Sequence, residues 1–231
     1  MADLSNLTNA MVDGVANGLS ASNVTGLNPS AARRNISNFV EISSNACREI
    51  TAAYRCLYDE LSKVWASPNA VKFNSFKGKI REMIRSFTTE TNEVARSAIS
   101  QYNRIASANG AATFSMDLGS LNSLYNGDLG ADLIERLNGI AGMDIMSVDS
   151  IMNDFRNKIT SALETLNSIP TSLALFDRNA SMQTRHYANV SKAKNNVESI
   201  SNEILKQLQT CIEDEMVKLE RASNPASGQN A

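Results

Sequence analysis

One tryptophan, one histidine, three cysteines and four prolines in 231 residues exclude several kinds of protein before any pattern is read. The lone histidine, His186, cannot build a histidine-rich metal site, and no cysteine spacing near it supports zinc. Cys47, Cys56 and Cys211 are odd in number and irregularly spaced, which makes a poor disulfide framework. Cys47 and Cys211 fall on apolar stripes and read as buried thiols of a chain made in a reducing compartment. No apolar run approaches the roughly 18 residues of a membrane-crossing helix, so no stable membrane span is expected. The first residues, Met1 to Asn6, lack a basic start and an apolar stretch. That predicts synthesis in the cytoplasm without a conventional secretory signal, and any export by a non-classical route. With 22 basic against 24 acidic residues, net charge is −2 and no clustered basic face suits nucleic acid. Lys192 and Lys194 come nearest and read as solvated helix positions. Aromatics are only 6%, so the 42% of hydrophobic residues must form a mostly aliphatic core.

Catalytic patterns are missing too. No glycine-rich phosphate loop, nucleophile elbow or supported Cys–His pair occurs, so the chain reads as non-enzymatic with no cofactor. Glu213-Asp214-Glu215 is an acidic run, but adjacent helical residues point in different directions and do not converge on a cation. Asp144, Asp149 and Asp154 lack the alternation of a calcium loop. His186, beside Arg185, reads as an exposed helix residue.

What the chain does have is helical periodicity. Asn28-Pro29 forms an N-cap followed by proline at the first helical position. Ile36, Val40, Cys47, Ile50, Tyr54, Leu57, Leu61 and Val64 then mark one face, with no proline or glycine between residues 30 and 67. The pattern closes at Trp65. Ser67 reads as a cap and Pro68 as the opening of a second helix. Its seam runs through Phe73, Phe76, Ile80, Met83, Phe87, Val94, Ala98, Gln101 and Ile105, close to a heptad, and stops at Asn109-Gly110. At this spacing the phenylalanines read as core rather than as a ligand groove.

Residues 109–146 are rich in Gly, Asn and Ser and read as a linker, not core, with a short helix through Leu133, Ile134, Leu137 and Ile140. Ser147 opens a third long helix with Val148, Ile151, Phe155, Ile159, Ala162, Leu166 and Ile169 on one face, ended by Pro170. A short apolar bend, Leu173 to Phe176, leads to a last helix striped by Val190, Ala193, Val197, Ile200, Ile204, Leu208, Cys211 and Leu219. The expected organisation is a mobile arm at 1–28, hairpin 1 at 29–108, the linker at 109–146, hairpin 2 at 147–222 and a polar tail at 223–231. Leu61-Ser62-Lys63-Val64 before the first bend is echoed by Leu166-Asn167-Ser168-Ile169 before the second, a weak trace of duplication. The fold expected is all-α: two long helical hairpins forming an elongated antiparallel four-helix bundle.

The segment from Trp65 to Phe73 resembles the turn of the WXG family, the small helical-hairpin substrates of type VII secretion. Ala70 stands at the family's small position and Phe73 at its aromatic one. Ser67 replaces the glycine, Pro170 stands where a second tryptophan would, and no Tyr-x-x-x-Asp export signal occurs. The resemblance covers about residues 30–108 and implies a hairpin that pairs with another hairpin, in cis or in trans. Partners implied are a helical-hairpin protein or the secretion machinery, and a homodimer is compatible with it. Trp65, Ala70 and Phe73 are the partner-binding candidates. Trp65 itself has two readings, an apolar plug at a helix end or an exposed docking residue, and the plug is the default. Two other classes stay open: a membrane-active helical protein, hinted at by Leu173-Ala174-Leu175-Phe176, and a structural component of a phage or surface assembly.

Overall fold

The computed structural model describes residues 27–66, 69–119, 124, 127–134, 143–170, 172–175, 181–183 and 186–223. The expected N-terminal arm lies almost wholly outside these residues. So do Ser67 and Pro68, Leu137 and Ile140, Phe176, the side chain of His186 and nearly all of the tail.

The fold is all-α. Four long helices, α1 (Pro29–Val64), α2 (Ala70–Ala108), α3 (Ile145–Asn167) and α4 (His186–Ser223), are joined by a long crossover and a short ribbon. The ribbon pairs β1 (Ser172–Ala174) with β2 (Ser181–Gln183), antiparallel, with Leu173 opposite Met182. It stands where a plain bend is expected after Pro170. Leu173 and Leu175 are buried, and β1 packs on α1.

Local chemistry explains where the helices start and stop. Asn28 caps α1 by accepting from the Ser30 and Ala31 N–H groups, with Pro29 at the first helical position as read from sequence. α2 ends in a Schellman arrangement: Gly110 has φ 64°, its N–H donates to Ser107 O, and Ala111 N–H donates to Ala106 O at 2.8 Å. α3 begins two residues before the expected Ser147, because Asp144 is its cap and accepts from Ser147 N–H and Oγ–H. α2 begins at Ala70 rather than Pro68, behind Asn69, whose side chain makes no cap bond.

Each helix packs against two others around a ring α1–α2–α4–α3. Cross-bundle contacts fix the directions. Thr165 donates to Glu49, Asp144 N–H to Val64 O, and Lys79 reaches Glu203 as Lys192 reaches Glu90. Ring neighbours are therefore antiparallel. α1 and α4 run the same way across a diagonal, where Tyr54 and Ser201 share a buried hydrogen bond of 2.8 Å. Burial and this bond act on the Tyr54 phenol in opposite senses. Burial dominates and pushes its pKa up, so the hydroxyl stays neutral. The Cys47 thiol, also buried, is pushed up to about 12.

α3 has 23 residues against 36 and 39 in α1 and α2, so by helical rise it covers only about 34 Å of a hairpin more than 50 Å long. The end bearing Trp65, the upper end, is a four-helix core. The lower end is a two-helix stem with its own small core of Ala32, Tyr102 and Ala106.

The stripes need adjustment. Phe39, Ala46, Ala53 and Tyr58 join the α1 core, whereas Val40 and Val64 are half-buried. Below Phe87 the α2 seam continues through Thr91, Ala95, Ala98 and Tyr102, not Val94, Gln101 and Ile105. Thr91 is acceptable there because its hydroxyl donates to Phe87 O. On α3 Met152 is buried and Ile151 is not. On α4 Ile212 is buried and Cys211 half-buried, while Leu219 is 60% exposed. Cys211 contacts Asn69, so α4 passes the start of α2 there and its last turns outrun the bundle.

The largest correction concerns the crossover. It is not a bare linker: Leu118, Leu129 and Leu133 are buried, with Phe114, Met116 and Leu124 packed partly against the core. It climbs between α1 and α2, touching Asn103 at Phe114, Ser37 at Met116, Arg55 at Asp128 and Asn74 at Leu133. Leu133 and Ile134, the described positions of the expected short helix, are irregular.

Candidate functional site

Trp65 leaves α1 in an extended conformation with its N–H on Leu61 O at 2.9 Å. Its backbone pairs with Met143, which brings the chain into α3 alongside the end of α1. The indole meets the Phe73 ring edge-on, centroids 5.0 Å apart at 80°, and Phe73 in turn tilts against Phe76. This edge-to-face geometry sets the positive ring edge on a negative ring face. Ala70, the first residue of α2 and one helical turn before Phe73, belongs to the same buried core cluster. The structure thus brings Trp65, Ala70 and Phe73 together, and all three are buried within the chain's own fold, at 4%, 1% and 1% exposure. The plug reading of Trp65 describes this position, and the exposed docking reading does not.

Directly beside this layer lies a polar clamp that the sequence reading missed. Lys77 sits on the inward face of α2, between Phe73 and Ile80, with its side chain 5% exposed. Its ammonium has three hydrogens and three acceptors: Gly130 O at 2.6 Å, Ala131 O at 2.8 Å and Asp132 Oδ1 at 2.7 Å. It also lies 4.5 Å from the centre of the Tyr58 ring, a cation–π contact. Tyr58 donates its hydroxyl to Phe73 O, linking the clamp to the aromatic layer. Burial, with lesser contributions from Tyr54 and the Asp132 carboxylate, pushes the Tyr58 pKa up and keeps it a donor.

Two more side chains complete the clamp. Asp59 Oδ1 accepts from Ala131 N–H at 2.8 Å. The Asn74 amide takes both backbone groups of Leu133, accepting its N–H at 2.9 Å and donating to its C=O at 3.0 Å. Gly130 has φ +87°, and a Cβ there would stand 2.6 Å from Arg55 O and 3.1 Å from Tyr58 Cβ. Only glycine fits. The sequence did carry a clue: a lysine in the middle of an apolar stripe requires buried acceptors from another segment.

At the lower end Asn103 reads Phe114 in the same bidentate way, at 3.0 and 2.7 Å. Arg33 donates to Ser115 O at 2.7 Å and lies 5.7 Å from the Phe114 ring centre. An open cleft of about 630 Å³ borders these residues, and Arg33, the one charged lining side chain among the described residues, is already engaged.

The remaining polar candidates separate. Asp144 is a helix cap and Asp154 pairs with Lys158. Glu213 and Asp214 are exposed, and Glu215 pairs with Lys218. Lys192 and Lys194 make long, largely solvated pairs with Glu90 and Glu198. Phe73, Phe76 and Phe87 are core residues. Among the described residues no group of three or more His, Cys, Asp or Glu could hold a metal, and no helix is long and apolar enough to cross a membrane.

No family model matches this chain, and no curated protein and no solved structure is similar to it.

Proposed function

We propose that this chain is a non-enzymatic helical interaction protein, a tandem form of the WXG hairpin acting as a substrate, or a substrate-presenting partner, of type VII secretion. The observation that carries the reading is the first turn, where Trp65 and Phe73 meet edge-to-face and Ala70 is buried in the same core. Hairpin 2 supports it: α3 and α4 cover the apolar face that a single hairpin would offer to another molecule. On this reading the chain carries its pairing partner in cis, and what it offers to a secretion apparatus is its outer surface.

The test is export from a host that carries both this chain and a type VII ATPase. Deleting the ATPase should remove the protein from the medium while it persists in the cell. Unchanged export would overturn the proposal. Light scattering of the purified protein separates it from a structural-assembly role: discrete monomers or dimers are expected, and open-ended polymers would count against it.

A further inference from the structure

We propose that Cys56 and Lys158 form a reversible covalent latch between α1 and α3, a sulfur–nitrogen bond made when a peroxide oxidises the thiol. The latch is independent of the secretion reading, because it needs only a thiol and an amine that meet on facing helices. Cys56 is half-buried on α1, and its S–H donates to Asp154 Oδ2 on α3 at 3.7 Å. Lys158, one turn further along α3, donates to that same oxygen and also reaches the Cys56 sulfur. Thiol and amine are thus gathered at one carboxylate. The Lys158 and Asp154 side chains are 41% and 52% exposed, so a small oxidant can enter. Beside them the Tyr54 and Phe155 rings pack with centroids 5.2 Å apart, which holds the register of the two helices at this level. The pair therefore meets in the resting fold without rearrangement.

The chemistry takes two steps. Hydrogen peroxide delivers one oxygen to the Cys56 sulfur, giving a sulfenic acid and releasing water; the sulfur is oxidised and the peroxide O–O bond is reduced. The Lys158 ammonium then gives one proton, by way of Asp154, to water. Its nitrogen lone pair attacks the sulfenic sulfur. The S–N bond forms, the S–O bond breaks, and hydroxide leaves as water by taking a second proton from the nitrogen. Sulfenic acids condense with backbone nitrogen in this manner, and an amine is the stronger nucleophile. The other two thiols lack this setting. Cys47 is fully buried, and burial pushes its pKa up to about 12, so it offers neither access nor thiolate. Cys211 is half-buried, burial raises its pKa, and the side chain bonded to its sulfur is Asn69, not a lysine. Positions 56 and 158 are far apart in sequence, so the link restrains the unfolded chain.

The test treats the full-length protein with hydrogen peroxide, digests it and maps the peptides by mass spectrometry. Peptides bearing Cys56 and Lys158 should appear joined, two hydrogens lighter than their sum, and should separate on adding dithiothreitol. The joined form should be at least tenfold more abundant than any oxidised form of Cys47 or Cys211. Before digestion the latched protein should melt about 5 °C or more above the reduced one. Lys158→Met, at a part-exposed position, should abolish the link and leave the sulfenic acid standing. Dimedone, which traps sulfenic acids, should then label Cys56 at least fivefold more than in the wild type. Unlinked Cys56 that takes up dimedone equally in both proteins would overturn the proposal. A Cys56 that stays reduced under peroxide would do the same, and so would a link that carries an extra oxygen, since condensation expels it. The wild-type map decides these last two without the variant, and Lys158→Gln replaces Lys158→Met should the latter lose its helical circular dichroism.

Discussion

The two ends of the α1–α2 hairpin use one device in different surroundings. At the upper end Asn74 holds both backbone groups of Leu133; at the lower end, about 43 Å away along α2 by helical rise, Asn103 holds those of Phe114. The hydrogen-bond lengths are nearly the same. Their surroundings are not. Leu133 is buried beside Lys77 and the Trp65 layer under four helices, whereas Phe114 is half-buried beside an open cleft on a two-helix stem. A hydrogen bond is worth most where water cannot replace it. The upper end should therefore behave as part of one cooperative core, and the lower end as a unit that opens on its own.

The strongest way to break that contrast is to remove one large aromatic from each end. Trp65→Ala should cost about 3–5 kcal/mol of global stability, because the indole fills a core layer that cannot collapse around the gap. Tyr102→Ala, though equally buried, removes the centre of a three-residue core. Its effect should appear as faster amide exchange confined to the stem, with a global loss of about 1–2 kcal/mol. Denaturant melts and residue-resolved hydrogen exchange measure both, and equal global losses would erase the distinction.

Lys77→Met comes next. It keeps the apolar stem and removes three donors. Asp132, 77% exposed, returns to water, but the Gly130 and Ala131 carbonyls lose their donor. A loss of about 2–4 kcal/mol is expected in denaturant melts. The asparagine pair then sharpens the comparison directly. Asn74→Ala should cost about 2 kcal/mol and Asn103→Ala about 1 kcal/mol or less, since water from the cleft can take over the Phe114 groups. A reversed order would show that the lower cleft is drier than its shape implies.

The helices were legible in the sequence because each carries a face with a 3.6-residue period and a chemical stop at its end. Asn28-Pro29 and Asn109-Gly110 did what their chemistry demands. Trp65 and Phe73 were readable as neighbours because one turn brings them together. The crossover was not readable. Its irregular backbone has no period, and its binding to α1 and α2 depends on side chain-to-backbone bonds, most of them across more than fifty residues, such as Lys77 to Gly130. Glycine and asparagine there look like loop punctuation. In the fold Gly130 serves close approach instead, and the asparagines that matter, Asn74 and Asn103, lie on α2. The seam below Phe87 departs from the hydrophobic pattern for a related reason: Thr91 and Ala95 carry the core with little hydrophobic signature, whereas the more apolar Val94 and Ile105 are only half-buried.

The smallest effects belong to the caps, and there the two ends differ in kind. Asn28 at the lower end is neutral, and Asn28→Ala should cost about 0.5–1 kcal/mol at any pH. Asp144 at the upper end is ionised. The Ser147 hydroxyl and then the Ser147 N–H hold its carboxyl below the usual carboxylate range. A lowered folded pKa means that the stabilisation is complete above the unfolded value, near pH 3.8, and drains away as pH falls through the folded one. Asp144→Ala should therefore lower Tm at pH 7, and its penalty should shrink as the solution is taken below pH 3.8, while that of Asn28→Ala stays flat. Thermal melts of the wild type and both variants across that range test it, with the wild type removing the shared titration of other carboxylates. Parallel curves for the two variants would mean that the Asp144 charge adds nothing to the hydrogen bonds it accepts, and that the two ends are capped by the same physics after all.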